Sequence, residues 1–277
     1  MTNPCKPRDL SSAGRQSTKP PRPLLTLGNP KTAKGEGRGY LTAILHLAPA
    51  RVAGVGNMCP WSTSACRDVC LNLAGRGGIF RHGETTNAIQ AARIARTQLF
   101  ASNRPAFLAQ LEHEINAHVR RARRAGLKPA VRLNGTSDLP WESIGLTSVR
   151  DVGGRPARSI VDLFPAVKFY DYTKSANRVH ASLRDAWTNW PANYTLTFSW
   201  SGKNAEACAH VLAVGGTVAV PFSTRRGAPL PESFLGAPVA DGDVTDLRFL
   251  DTPGTIIGLR AKGPARHDVS WGFVVSV

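Results

Sequence analysis

Apolar and polar positions along this chain alternate between two periods. Short apolar, β-branched and aromatic runs stand at 40–47, 130–133, 167–170, 194–198, 217–222, 256–259 and 273–275, each too short for a helix and suited to a buried strand. Helix-period segments separate several of them. Ile89, Ala92, Ala95 and Leu99 share one face, and Thr85 or Thr86 can cap the helix that carries them. Phe107, Leu111, Ile115 and Val119 repeat every four residues behind Asn103 and Pro105, and Gly126 ends that second helix after Arg120, Arg121, Arg123 and Arg124. Strands alternating with helices predict an α/β class with a mostly parallel sheet. That pattern suits a partial or complete (β/α) barrel, with a doubly wound open sheet as the alternative. No internal repeat of fixed period is present.

Residues 1–38 break the pattern. They are rich in Pro, Gly, Ser, Lys and Arg and poor in large apolar side chains, so they cannot offset the entropy of ordering themselves. They read as a flexible basic arm ahead of a single α/β catalytic domain at 39–277, whose cysteine-bearing loop occupies 54–78. The arm has no apolar h-region, so export is not expected. No apolar run approaches the roughly 18–20 residues of a membrane span, so no membrane partner is expected either. Charge adds a partner class: Lys and Arg number 35 against 19 acidic residues, a formal net charge of +16. Such an excess favours a polyanion, and nucleic acid is the obvious one; the plain alternative is a protein that is merely basic.

The strongest chemical signal is NMCPWSTSACRDVCLNLAGRG, in which Cys59, Cys66 and Cys70 are spaced C-x6-C-x3-C. Three thiols so crowded point to metal before disulfides. Three thiolates suit a soft centre. That centre is either an iron-sulfur cluster with one iron left open for a small molecule, or zinc with His82 or His46 as fourth ligand. Gly75, Gly77 and Gly78 let the backbone approach such a centre. Cys5 reads as a bystander and Cys208 as a small core residue.

Polar groups recur just past the strands, where α/β sheets bind ligands. VRLNGTSD offers Asn134, Gly135, Thr136, Ser137 and Asp138; FYDYTK offers Asp171, Thr173 and Lys174; LTFSWSGKN offers Ser199, Ser201, Lys203 and Asn204. Each could equally be a turn or a helix cap. In VADGDVTDLRFLD, Asp241, Asp243, Asp246 and Asp251 lack calcium-loop spacing, and ion pairing, with Arg248 for example, is the default. Trp61, Trp141, Trp200 and Tyr172 are candidates to stack on a flipped base, or simply core.

The stretches NPKTAKGEGRGYLTAILHLAPA, CPWSTSACRDVCLNLAGRG, VRLNGTSDLPWE, FYDYTK and DGDVTDLRF resemble the gene-product-88 family of phage and prophage proteins, from about residue 29 to the C-terminus. The strand, three-cysteine loop and helix also resemble the cluster loop of radical S-adenosylmethionine enzymes, although the gaps exceed their commonest C-x3-C-x2-C. That resemblance implies a [4Fe-4S] cluster on Cys59, Cys66 and Cys70, with S-adenosyl-L-methionine on the open iron and a flavodoxin or ferredoxin as electron donor. It makes Asn134, Gly135 and Ser199 cofactor-binding candidates, and Asp138, Asp171 and Lys174 catalytic ones. The two resemblances together imply an isomerase of phage DNA hypermodification in the host cytoplasm, moving a glycyl-type substituent on modified thymidine so that restriction fails. Two alternatives stay open: a zinc-dependent, transglycosylase-like base-exchange enzyme using Asp138 or Asp171, and a non-enzymatic DNA-binding protein with a structural metal.

Overall fold

The structure is a computed structural model that describes residues 22–28, 30–184, 189–267 and 272–277. Its frame is a nine-stranded sheet. In chain order the strands are β1 (Leu25–Thr26), β2 (Tyr40–Leu45), β3 (Lys128–Arg132), β6 (Lys168–Thr173), β7 (Tyr194–Ser199), β8 (Val218–Phe222), β9 (Ser233–Phe234), β10 (Ala237–Asp241) and β11 (Ile256–Arg260), while β4 (Gly145–Asp151) and β5 (Pro156–Ser159) form a separate antiparallel pair. The spatial order is β1-β2-β3-β6-β7-β8-β11-β10-β9. Every pairing from β2 to β10 is parallel, and only the edge strands β1 and β9 are antiparallel. From β2 to β8 each strand lies beside its predecessor, without the reversal of order that marks a doubly wound sheet. Among the described residues the edges β1 and β9 do not pair, so a closed barrel is not shown.

The helices are α1 (Pro30–Glu36), α2 (Ser64–Asp68), α3 (Ala88–Ser102), α4 (Arg104–Arg124), α5 (Ala176–Leu183) and α6 (Ala205–Ala213). Phe100 of α3, Phe107, Leu111 and Ile115 of α4, Val179 of α5, and Cys208 and Val211 of α6 share one core with Val131, Phe169, Leu196, Phe198 and Val220 of the sheet. Each of these large apolar side chains, fully buried, is worth about 1.5–3 kcal/mol. Alternate strand residues face the other way: Ala130 and Tyr170 meet Leu247, with Tyr40 and Phe249 packed beside them.

That second face carries charge. Arg132 pairs with Asp246 at 3.2 Å, and its guanidinium carbon lies 4.5 Å from the Tyr172 ring centre. Arg248 pairs with Asp251 at 3.2 Å, and Arg260 reaches both Asp241 and Asp243. The acidic segment therefore serves ion pairing, as its spacing suggested.

Local differences from expectation have local causes. Asn103 caps α4 and Gly126 follows it with φ +67°, as expected. The cap of α3, however, is Asn87, whose Oδ1 accepts from Ile89 N and Gln90 N, and not Thr85 or Thr86. Of the expected basic arm, residues 1–21, Cys5 included, lie outside the described residues. Its later part is docked: Glu114 accepts from Leu24 N and Leu25 N, β1 pairs with β2, and α1 precedes β2. The apolar run 273–275 contributes only a single parallel bridge, Val275 to Phe222. No helix among the described residues is long and apolar enough to cross a membrane.

Candidate metal and substrate site at the strand ends

All parallel strands end on one edge, and the loops leaving them meet there. The cysteine loop departs from β2. Its first thiol is held between two elements: Cys59 Sγ accepts from Ala50 N at 3.3 Å and donates to Thr136 O at 3.7 Å. The loop after β3 is tied on by Asp138 N, which donates to Met58 O at 2.8 Å, and by Thr136 Oγ1, which donates to Leu47 O. Cys66 sits in α2, a turn of helix capped by Thr63 Oγ1, and Cys70 Sγ accepts from Asn72 N at 3.5 Å. All three thiols are free and half-buried, while Cys208 is fully buried in α6.

The three sulfurs share one electrostatic neighbourhood. Burial pushes the Cys59 thiol up to about 12, and the charges of Cys70, Asp138 and Cys66 add to the rise. Burial also raises Cys70; the Asn72 amide opposes this, Cys66 reinforces it, and Lys174 and Arg93 oppose it. Among the described residues no group of three His, Cys, Asp or Glu side chains surrounds a single point as one ion requires. His82, a candidate fourth ligand for zinc, is exposed.

Two cations back the thiols from the protein side. Arg93 of α3 is buried and donates to Asn72 Oδ1 at 2.6 Å and Asn72 O at 3.2 Å. Gly77 is required there, because a Cβ would lie 2.6 Å from Asn72 O and 3.2 Å from Arg93 Nη1. Lys174 follows β6, its ammonium 5.7 Å from the Phe273 ring centre. The C-terminal segment closes over the same loop, with Val69 packed against Ala265 and Val274. A cavity of about 250 Å³ opens between α2 and the loop after β7, lined by Thr63, Ser64, Ala65, Ser201 and Lys203.

The other sequence candidates divide. Asp138 lies beside Cys59, with Oδ2 accepting from Lys174 N at 2.9 Å and Oδ1 from Arg178 at 3.1 Å; burial raises its carboxyl despite those donors. Asp171 is wholly buried and accepts from Asn134 N, Asn134 Nδ2 and Tyr194 Oη. Burial lifts it to about 7, with Arg132 and these donors opposing. Asn134 is equally occupied, its Oδ1 accepting from Ser137, Leu139 N and Trp141 Nε1. Gly135 packs against β2: a Cβ would come within 2.7 Å of Leu45 O and His46 Cδ2. Asn134, Gly135 and Asp171 thus hold up the site from beneath, whereas Asp138 and Lys174 border it. Ser199, half-exposed at the end of β7, accepts from Asn204 Nδ2 through its carbonyl.

Sequence reasoning missed Arg178. It makes a two-pronged pair with Glu142, both contacts at 2.7 Å, also reaches Asp138 and Thr173, and lies 5.3 Å from the Trp61 ring centre. No spacing signal links Arg178 to a glutamate 36 residues earlier. Of the proposed base-stacking aromatics, Trp141 and Trp200 are buried core and Trp61 is half-exposed.

The family model for Gene product 88 matches residues 23–275. The chain belongs to the Gene product 88 family. No curated protein and no solved structure matches it. For this Gene product 88 chain, therefore, geometry has to carry the functional argument.

Proposed function

We propose that this Gene product 88 protein is a radical S-adenosylmethionine-type enzyme that holds a [4Fe-4S] cluster on Cys59, Cys66 and Cys70 and acts on a base of phage DNA. Its class of reaction is the isomerisation of a glycyl-type substituent on modified thymidine. One observation carries the reading: three thiols near enough to influence one another's charge, on the loop that leaves the first parallel strand. The sequential strand order with all core helices on one face supports the winding of a partial (β/α) barrel.

The donor set fits the group. Three free thiols on one loop are a soft ligand set, of the kind that iron-sulfur clusters take. Arg93 and Lys174 supply positive charge against the thiolates. Held by Cys59, Cys66 and Cys70, such a cluster would supply one-electron chemistry to S-adenosylmethionine and so permit hydrogen abstraction from carbon. The chain's own part is to bind and orient. Lys203 and Ser201 present polar groups to the cavity, and Arg178 fixes Asp138 against the cysteine loop. The electron donor is a flavodoxin or ferredoxin.

Base exchange through a zinc enzyme would need a free carboxylate at the strand ends. Asp171 is wholly buried and Asp138 is held by two donors, so neither serves readily as a nucleophile. The test is anaerobic purification and iron-sulfide reconstitution of the full chain. The expected result is a brown protein with iron lost in Cys59→Ala, Cys66→Ala and Cys70→Ala, and cleavage of S-adenosylmethionine on reduction. A colourless protein that binds no iron, or that binds one zinc and ignores the cofactor, overturns the reading.

A further inference from the structure

The cysteine loop has an outer rim that metal chemistry leaves unexplained. Ile79 is 67% exposed and Phe80 38%, two adjacent large apolar side chains that face solvent. Arg76 and Arg81 flank this pair, both exposed and without an ion-pair partner among the described residues. No acidic residue occurs from 69 to 83.

The rim is held rigid by its backbone. Asn87 Nδ2 donates to Arg76 O, Gly77 O and Ile79 O at 3.3, 3.0 and 2.9 Å, and Gln90 Nε2 donates to Gly77 O at 2.7 Å. One asparagine thus caps α3 and grips three rim carbonyls, so the rim's backbone is ordered before any contact is made.

We infer that residues 76–81 dock a DNA strand, with Arg76 and Arg81 on its phosphates and Phe80, backed by Ile79, stacked on or wedged beside a base. The inference rests on the reading that the substrate is phage DNA and deepens it: the substrate is a polymer, gripped next to the cysteine loop. Charge complementarity and an exposed aromatic favour a nucleic acid strand. An anionic membrane would also meet basic and apolar groups, but it is engaged by long amphipathic helices, whereas this rim is a short turn.

The test is fluorescence anisotropy of labelled single-stranded and duplex DNA with the full chain across a salt series. Phe80→Ala should weaken single-strand binding about 5- to 150-fold without changing the salt slope, and Phe80→Trp should keep it. Arg76→Ala with Arg81→Ala should reduce the slope of log K against log salt by about 1.4, two phosphate contacts' worth on a single strand. Arg123→Ala with Arg124→Ala, at the far end of α4, should bind as the parent does. The inference is overturned if the rim variants bind like the parent, if the α4 variant is the one that weakens, or if the protein prefers anionic vesicles to DNA. Iron content of the same preparations separates the two readings. An iron-loaded protein that ignores DNA sinks the docking and the polymer substrate and leaves the cluster, and a colourless one that binds DNA sinks only the cluster.

Discussion

Replacing Arg178 with Met keeps an apolar stem of similar length and removes every donor the guanidinium supplies. The side chain is 8% exposed, Glu142 is 10% and Asp138 12%. Glu142 loses both 2.7 Å contacts, while Asp138 keeps its hydrogen bond from Lys174 N. Breaking a buried pair by removing one partner costs about 3–5 kcal/mol, mostly the penalty of the orphaned charge. In a chain of this size that lowers Tm by roughly 6–15 °C. The assay is guanidinium denaturation followed by circular dichroism, comparing midpoints at equal slope. Because the orphaned carboxylate dominates, adding Glu142→Gln to Arg178→Met should recover about 1–2 kcal/mol. A single variant that loses less than about 1 kcal/mol, or a double variant less stable than the single, refutes this account of the hub.

Three further outcomes follow from burial. Asp171, lifted to about 7 by burial, binds its proton more tightly folded than unfolded, so its contribution is full below the ordinary carboxylate range and is lost as pH rises towards 7; Asp171→Asn should flatten that fall in a pH series of denaturation midpoints. His118 behaves oppositely: burial lowers its pKa, and Nε2 lies 3.1 Å from Leu41 O and 3.2 Å from Ala130 O. Stability should therefore fall as pH drops below about 6.5, and His118→Leu should remove that acid limb from the same series. Gly135→Ala forces a Cβ against Leu45 O and His46 and should cost about 1–3 kcal/mol; melting that matches the parent would refute the packing role.

Much of the frame was legible because period and caps are local. The strands β3, β6, β7, β8 and β11 and the helix α4 follow from apolar runs and from Asn103 and Gly126. What escaped was set by distant partners. The pair β4–β5 is largely exposed, with no apolar alternation along GLTSVRD. The strand β1 exists because β2 and Glu114 receive it. The cysteine trio was visible as a spacing, but Arg178 was not. In ANRVHASL it reads as a solvated helix position, and only the folded chain brings Glu142, Asp138 and Trp61 to it.

The buried ion pairs also explain how a protein with 19 acidic residues presents so positive a rim. Asp138, Glu142, Asp246 and Asp251 are spent inside, against Arg178, Arg132 and Arg248. Such pairs contribute little net stability compared with apolar packing, so their effect is better sought in placement. They fix the loops after β3 and β6 and the 246–251 segment against one another, and through Asp138 N and Met58 O they fix the cysteine loop. A site whose ligands must be held to a fraction of an ångström needs such rigid support. Arg76 and Arg81 stay exposed, and their field extends into solvent over a Debye length of about 10 Å at 0.1 M salt. If the substrate is the polyanion proposed above, its association rate should fall steeply as salt is added.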